Sequence, residues 1–157
     1  MALAVGAKAP LFTLYDTEKA LRSLSEFRGR KTVLAFYPGA FTGVCTREVC
    51  SLRDALANLN SLNAQVVGIS VDSTSANKAF ATQNNLNFPL LCDFTREVSK
   101  QYGGVYEDFG GVKGYVAAKR AVYVLDGQGV VKYAWVTENP GVEPNYQEIV
   151  SALSAIR

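Results

Sequence analysis

Apolar positions recur along the chain with two different periods, which predict strands and helices in turn. The runs at 31–37 and 65–72 are apolar at nearly every position, so each is predicted to be a strand buried on both faces. Between these strands, apolar residues recur at spacings of three and four, which predicts a helix over 42–59. The residues with this helical spacing are Val49, Leu52, Leu56 and Leu59.

The remaining segments extend this alternation into an α/β sandwich. The two runs that flank Gly127–Gly129 predict a β-hairpin, and the glycine-rich segment 103–119 is interpreted as a crossing connection. Further strands are predicted at 9–16 and 88–93, a short strand with a one-turn helix within 17–30, and helices at 73–85, 95–103 and 144–157. This order predicts one domain, 1–157, with a mixed central β-sheet flanked by helices.

Composition and charge exclude several classes of function. The chain has 157 residues, of which 48% are hydrophobic and 19% charged, an ordinary globular mixture. Lys and Arg number 16 against 14 Asp and Glu, without a basic cluster on one predicted element, so nucleic acid is not an expected partner. No apolar run approaches the roughly 18 residues that span a bilayer, and the start lacks a basic signal-peptide region. We therefore expect no membrane association and a cytoplasmic location.

The chain contains no histidine. This absence excludes Cys-His and Ser-His nucleophile pairs within the chain, and also zinc sites that use histidine. Three cysteines without a Cys-x-x-Cys pair make a structural metal site the weakest of the possible interpretations. We expect no metal and no other cofactor.

Two of the three cysteines, Cys45 and Cys50, lie five residues apart where the strand at 31–37 gives way to the predicted helix. In a cytosolic chain such a pair is more often redox-active or catalytic than a structural disulfide. Free N–H groups and the helix macrodipole stabilise a thiolate in the first turn of a helix. Helix N-termini or adjacent cations lower a cysteine pKa from ~8.5 to about 3.5–7.5, so we expect a lowered pKa for Cys45. The alternative is an inert, buried cysteine.

The loop sequence Pro38-Gly-Ala-Phe-Thr42-Gly-Val-Cys45 matches the Pro-x-x-x-Thr-x-x-Cys signature of the peroxiredoxins. The chain resembles this family of thiol peroxidases over essentially its whole length. The spacing of Cys45 and Cys50 resembles the Q-type class, also called bacterioferritin comigratory protein. The resemblance implies a thioredoxin-like fold with an N-terminal strand extension. It also implies reduction of hydrogen peroxide and organic hydroperoxides, with thioredoxin or a similar dithiol as the reductant.

The resemblance implies a role for each matching residue. Cys45 would be the peroxidatic nucleophile, Thr42 would hydrogen-bond the peroxide, and Pro38 would shield the thiolate from water. Arg120 would sit beside the sulfur, and Glu48 would orient this arginine. The alternatives are a solvent-exposed arginine at a strand end and an exposed carboxylate paired with a basic residue one turn away.

The resemblance assigns Cys50 as the resolving cysteine, which would form an intrachain disulfide with Cys45. On an intact helix, residues five apart have Cα atoms roughly 8–9 Å apart. A disulfide needs about 4.4–6.8 Å, so residues 42–51 would have to unwind before the bridge closes. The alternatives are that Cys50 is a small buried residue and that Cys92, expected in the core, is a resolving or crosslinking thiol.

Other interpretations stay open at this stage. A thioredoxin-like thiol–disulfide oxidoreductase normally separates its cysteines by two residues, and a non-catalytic binding or chaperone domain could use the same fold. The segment 135–146 is interpreted as a rim of the site or a subunit contact. Tyr37, Phe41 and Tyr115 belong either to a dimer face or to the core, so the protein is expected to be a monomer or a homodimer.

Overall fold

The computed structural model describes residues 3–156, except for the side chains of 56–61. The strands are β1 (Thr13–Asp16), β2 (Leu21–Ser23), β3 (Lys31–Phe36), β4 (Ala64–Ser70), β5 (Leu90–Cys92), β6 (Val105–Tyr106), β7 (Ala117–Ala118), β8 (Ala121–Leu125) and β9 (Val131–Val136). The α-helices are α1 (Gly43–Ser61), α2 (Thr74–Gln83), α3 (Glu97–Gln101) and α4 (Tyr146–Ala155), and short 3-10 helices span Leu24–Phe27 and Phe109–Gly111.

Seven strands form one mixed sheet in the order β2-β1-β5-β4-β3-β8-β9. β3, β4 and β5 are parallel neighbours, whereas β8 pairs antiparallel with both β3 and β9. β1 pairs antiparallel with β5 and with β2, so the two strands nearest the N-terminus extend the sheet at one edge. The predicted mixed sheet, the N-terminal strand extension and the β8–β9 hairpin are confirmed.

The sheet separates two hydrophobic clusters, because successive side chains of a strand point to opposite faces. Val33 and Ala35 of β3 belong to the cluster that contains the buried residues of α1, α2 and α4. Leu34 and Phe36 belong to the cluster on the other face, with Val98 of α3. Burial on both faces explains why the sequence of β3 is almost wholly apolar.

The register of the sheet brings three separate segments to one edge. β3 and β4 run parallel, so the residues that follow their carboxyl ends lie close together. β8 runs antiparallel to β3, with Phe36 opposite Ala121, and its amino end therefore lies at the same edge. Arg120 directly precedes β8, so it lies beside the loop between β3 and α1.

The glycine-rich segment 103–119 differs from its sequence interpretation, since it contains β6 and β7, paired antiparallel as a separate small sheet. Two-residue strands are too short to show a period, so the pattern could not reveal them. Val49 and Leu52 are buried as the helical spacing predicted, whereas the side chains of Leu56 and Leu59 lie outside the described residues. None of the helices in the described part of the chain is long and apolar enough to cross a membrane.

Candidate active site

Cys45 is the third residue of α1 and has no solvent-exposed surface. The Thr46 N–H donates to the Thr42 carbonyl at 2.9 Å, which opens the first helical turn around the sulfur. Pro38 and Gly39 are also buried, so the loop that precedes α1 closes over the site. The sequence placed Cys45 at this helix start, and the structure agrees.

The guanidinium of Arg120 connects the cysteine with a buried carboxylate. Its Nη2 lies 3.2 Å from Cys45 Sγ, and its Nη1 lies 2.7 Å from Glu48 Oε1. Nε and Nη2 also donate to the Pro140 carbonyl at 3.2 and 2.9 Å. Arg120 is 1% exposed and Glu48 0%, so the solvent-exposed alternatives for both residues are wrong.

The backbone of Arg120 is fixed by residues that sequence reasoning missed. The Tyr106 hydroxyl accepts from the Arg120 N–H at 3.3 Å and donates to the Thr137 carbonyl at 2.7 Å. The Thr137 N–H in turn donates to the Arg120 carbonyl at 3.1 Å. Pro140 acts through a backbone carbonyl, which leaves no signature in a sequence. Pro140 lies in the segment 135–146. This segment therefore forms a rim of the site, which was one of the two interpretations from the sequence.

The loop before α1 is held by hydrogen bonds at both ends. The Thr42 hydroxyl donates to the Gly39 carbonyl at 3.0 Å, and the Ala40 N–H donates to Asp72 Oδ2 at 2.8 Å. Phe41 between them has a φ of 66°, a left-handed conformation that non-glycine residues seldom adopt. Asp72 was also missed, although an acidic residue just after a buried parallel strand was an available signal.

Burial and charge act in opposite directions on the pKa of Cys45. Burial raises the pKa of this thiol above its ordinary value, against the lowering effects of the Arg120 charge and of polar contacts with Thr42, the Gly39 backbone and Arg120. The expectation of a lowered pKa from the helix start was therefore wrong for this closed conformation. The sequence could not show that the sulfur is shielded from water on every side.

Glu48 and Arg120 form a buried ion pair, and different causes raise the pKa of each group. Burial raises the pKa of Glu48 to about 7, although the charge of Arg120 and its hydrogen bond lower it. Burial acts to lower the pKa of Arg120, but the adjacent Cys45 and Glu48 raise it above its ordinary value. Glu48 Oε2 is buried and has no hydrogen-bond partner among the residues that the structure describes. One guanidinium thus lies between two acidic groups, and these three side chains have almost no solvent-exposed surface.

The other cysteines lie apart from this site. All three cysteines are free thiols, and Cys50 is half-buried in the intact helix α1, 3.5 Å from Asn84 Oδ1. Cys92 is buried in β5, as expected, and accepts a hydrogen bond from Asn77 Nδ2 at 3.4 Å. Arg47, two residues after Cys45, has a side chain that is 58% exposed and pairs with Glu143 at 3.2 Å.

The three aromatic residues considered for a dimer face differ in their surroundings. Tyr37 is fully buried and donates from its hydroxyl to Asn77 Oδ1 at 2.7 Å, so it belongs to the core. Phe41 is 49% exposed, with its ring centroid 5.2 Å from that of Phe80. Tyr115 is half-buried. Its hydroxyl lies close to the loop before α1, since a Cβ placed on Gly39 would be 3.5 Å from it. Only Phe41 and Tyr115 remain available at the surface near the site.

Comparisons with known proteins agree with this geometry. The family model described as AhpC/TSA family matches residues 5–134. The chain is 38% identical to alkyl hydroperoxide reductase E of Mycobacterium bovis, covering 98% of both chains. It is 40% identical to the chloroplastic peroxiredoxin Q of Triticum aestivum over 83% of this chain, and spans 58% of that relative's length.

Solved structures confirm the predicted thioredoxin-like peroxiredoxin fold. The crystal structure of the peroxidoxin BcpB from Mycobacterium tuberculosis superposes with a TM-score of 0.85 at 29% identity, covering 98% of this chain and 97% of that one. The matched family, the relatives and the fold lead to one conclusion. The chain belongs to the AhpC/TSA family and is a peroxiredoxin, a thiol-specific peroxidase.

Proposed function

We propose that Cys45 is the peroxidatic cysteine and that it reduces hydrogen peroxide and organic hydroperoxides within one domain, 1–157. The observation that carries this proposal is the 3.2 Å contact between Arg120 Nη2 and Cys45 Sγ in a buried site. A cation in direct contact with the sulfur stabilises the thiolate, the form of cysteine that attacks. The same cation stabilises the negative charge that develops on the peroxide oxygens.

The first step transfers one oxygen atom to sulfur. The Cys45 sulfur attacks one peroxide oxygen, a sulfur–oxygen bond forms, and the oxygen–oxygen bond breaks. The leaving oxygen takes the electron pair of that bond and the thiol proton, and departs as water or an alcohol. Thr42 hydrogen-bonds the peroxide, Pro38 excludes water, and Glu48 orients Arg120 through the 2.7 Å ion pair.

The proton of Cys45 leaves when peroxide enters. In the closed site burial opposes ionisation and holds the pKa of Cys45 above its ordinary value. A bound hydroperoxide brings a hydrogen-bond donor to a sulfur that has none from water, and polar contacts of this kind favour the charged form. Because Cys45 is 0% exposed, peroxide must first displace the loop at 38–42.

The second step forms an intrachain disulfide between Cys45 and Cys50. The Cys50 thiol attacks the sulfenic sulfur, the sulfur–oxygen bond breaks, and water leaves. Both cysteines lie in helix α1, so residues 42–51 unwind before the sulfurs meet. An external dithiol, thioredoxin or a similar protein, then reduces the bridge and is itself oxidised to a disulfide.

The expected setting of this reaction is the cytoplasm, without a nucleic-acid or membrane partner and without a cofactor. The protein acts as a monomer or a homodimer. The surface around Phe41 and Tyr115 is the candidate contact face in the second case, because it borders the active site and exposes part of an aromatic ring.

Counting free thiols before and after one equivalent of hydrogen peroxide tests the proposal. Wild type should lose about two of its three thiols, and Cys45→Ser should lose none. Cys50→Ser should stop at the sulfenic acid or cross-link between chains. Cys92→Ser serves as the matched control and should still lose two thiols. Loss of thiols in Cys45→Ser at the wild-type rate would refute the assignment.

A further inference from the structure

The segment of helix α1 that carries Cys50 is hydrogen-bonded to Asn84 at the C-terminal end of α2. The Cys50 thiol donates to Asn84 Oδ1 at 3.5 Å, within range for a sulfur hydrogen bond. Three residues later, Arg53 Nη1 donates to the Asn84 carbonyl at 2.6 Å. Two residues of α1, three positions apart and therefore on the same face of the helix, thus contact Asn84.

Asn84 is itself rigidly held. It caps the C-terminus of α2, where its backbone N–H and its side-chain Nδ2 donate to the Phe80 carbonyl at 3.2 and 2.9 Å. The ring of Phe80 is fully buried. With Nδ2 engaged, the amide oxygen Oδ1 is fixed in direction and faces Cys50, since the two ends of an amide lie in one plane.

We propose that Asn84 is a positioning residue that holds reduced Cys50 in helix α1 and thereby sets the rate of disulfide closure. This inference rests on the proposed function of Cys50. Before its sulfur reaches Cys45, Cys50 must leave the amide oxygen of Asn84, so the contact stabilises the folded helix and not the unwound segment. Its removal therefore makes unwinding easier.

The consequence is a longer life for the sulfenic acid on Cys45. While Cys50 stays in the helix, a second peroxide molecule competes with it for the oxidised sulfur and gives sulfinic acid. The strength of the Asn84 contact therefore fixes the peroxide concentration at which the enzyme is inactivated. Faster closure gives greater resistance.

Two substitutions of Asn84 separate this role from simple destabilisation of α2. Asn84→Ala and Asn84→Asp both remove the Nδ2 donor to Phe80, but Asn84→Asp keeps an oxygen that accepts from Cys50. Thr82→Ala is the matched control, because the Thr82 hydroxyl donates only to the Lys78 carbonyl of its own helix at 2.9 Å among the described contacts.

The measurement is rapid mixing with hydrogen peroxide, acid quench, alkylation and mass spectrometry. The peroxide-dependent formation of sulfenic acid should not change in any variant. The peroxide-independent closure of the disulfide should accelerate roughly two- to tenfold in Asn84→Ala, the loss expected for one neutral hydrogen bond. Closure in Asn84→Asp and Thr82→Ala should stay near or below the wild-type rate. Asn84→Ala should also need proportionally more peroxide to reach sulfinic acid.

Closure in Asn84→Ala at the wild-type rate or slower would overturn the inference, as would equal acceleration in Asn84→Asp. Either result with a Cys45–Cys50 bridge still formed would leave the proposed function intact. Absence of that bridge in oxidised wild-type protein would instead overturn both.

Discussion

Cys45 and Cys92 are equally hidden from solvent, at 0% and 1% exposure, yet their surroundings differ in charge. Burial raises the pKa of both thiols. Cys45 lies against the guanidinium of Arg120, whose charge lowers its pKa. Cys92 receives a hydrogen bond from the neutral amide of Asn77, and the negative charges of Asp72 and Asp16 raise its pKa further. Under the proposed assignment, burial therefore does not distinguish the peroxidatic Cys45 from Cys92; the sign of the nearest charge does.

Substitution of each buried cysteine by serine should give the largest difference in peroxide consumption between the two sites. Cys45→Ser should abolish peroxide consumption, because a hydroxyl cannot replace the thiolate nucleophile. Cys92→Ser should keep the wild-type rate, since Cys92 contacts none of the residues around Arg120. A peroxidase assay coupled to a dithiol reductant measures both. Loss of activity in both variants, with folding intact, would erase the distinction drawn between the two sites.

Removal of the positive charge should make Cys45 resemble Cys92. Arg120→Met should slow the reaction with hydrogen peroxide by about 10²–10³, the loss expected for a donor that stabilises developing negative charge. It should also raise the pKa of Cys45, because the charge of Arg120 opposes the effect of burial. Arg120→Lys keeps the charge but loses the planar guanidinium that contacts both Glu48 and Cys45. Its reaction rate should lie between those of Arg120→Met and wild type.

The pH dependence of iodoacetamide alkylation measures the pKa of Cys45 in these variants, with circular dichroism as the check on folding. Alkylation of Cys45 in Arg120→Met with an unchanged pH midpoint would show that charge does not separate the two cysteines.

The Glu48 carboxyl should make stability depend on pH near the Cys45 site. Burial raises its pKa to about 7 in the folded protein, above the ~4.3 of an unfolded chain, so the folded state binds this proton more tightly. Its contribution to stability is present below pH ~4.3 and is lost as pH rises through about 7. Relative to Glu48→Gln, the wild-type free energy of unfolding should fall by up to ~3 kcal/mol across this window.

Urea unfolding of wild type and Glu48→Gln at pH 4.5, 6 and 7.5 would measure this difference. The opposite slope would mean that Arg120 outweighs burial and keeps Glu48 ionised.

Asp72 contacts the loop before Cys45 and, through Ser70, the Asn77 side chain beside Cys92. Its substitution should therefore affect both cysteines, with the smallest of the predicted effects on peroxide reduction. Asp72 Oδ2 accepts from the Ala40 N–H at 2.8 Å and from the Ser70 hydroxyl at 2.8 Å, and Ser70 in turn accepts from Asn77. Asp72→Ala should slow peroxide reduction by roughly five- to tenfold, because the loop before α1 loses one partly buried hydrogen bond. Asp72→Asn, which keeps an acceptor oxygen, should restore most of the rate.

Both Asp72 substitutions should lower the pKa of Cys92, because they remove a negative charge that raises it. Alkylation of Cys92 in the unfolded and folded protein, followed by mass spectrometry, would report this change. Equal rates for Asp72→Ala and wild type would show that the Ala40 contact does not position the loop.

Local sequence patterns were enough to predict the order of the main strands and helices and the position of Cys45 at the start of α1. Both follow from local patterns: apolar runs for β3 and β4, helical spacing for α1, and a motif confined to Pro38–Cys45. The roles expected for Glu48, one turn after Cys45, and for Cys50 came from the resemblance to the peroxiredoxins.

The resemblance to the peroxiredoxins indicated that Arg120 lies beside Cys45, but the reason for this contact and the other distant groups at the site came from the tertiary structure. Arg120 lies 75 residues away along the chain and reaches the sulfur because β8 runs antiparallel to β3. Pro140 and Asn84 contribute contacts from a loop and a helix end that no residue pattern marks, whereas Asp72 directly follows the region of a buried parallel strand, which was an available signal. The direction of the Cys45 pKa also depended on complete burial, which arises from the packing of loop, sheet and helix together. Local sequence sets secondary structure, whereas long-range packing sets electrostatics.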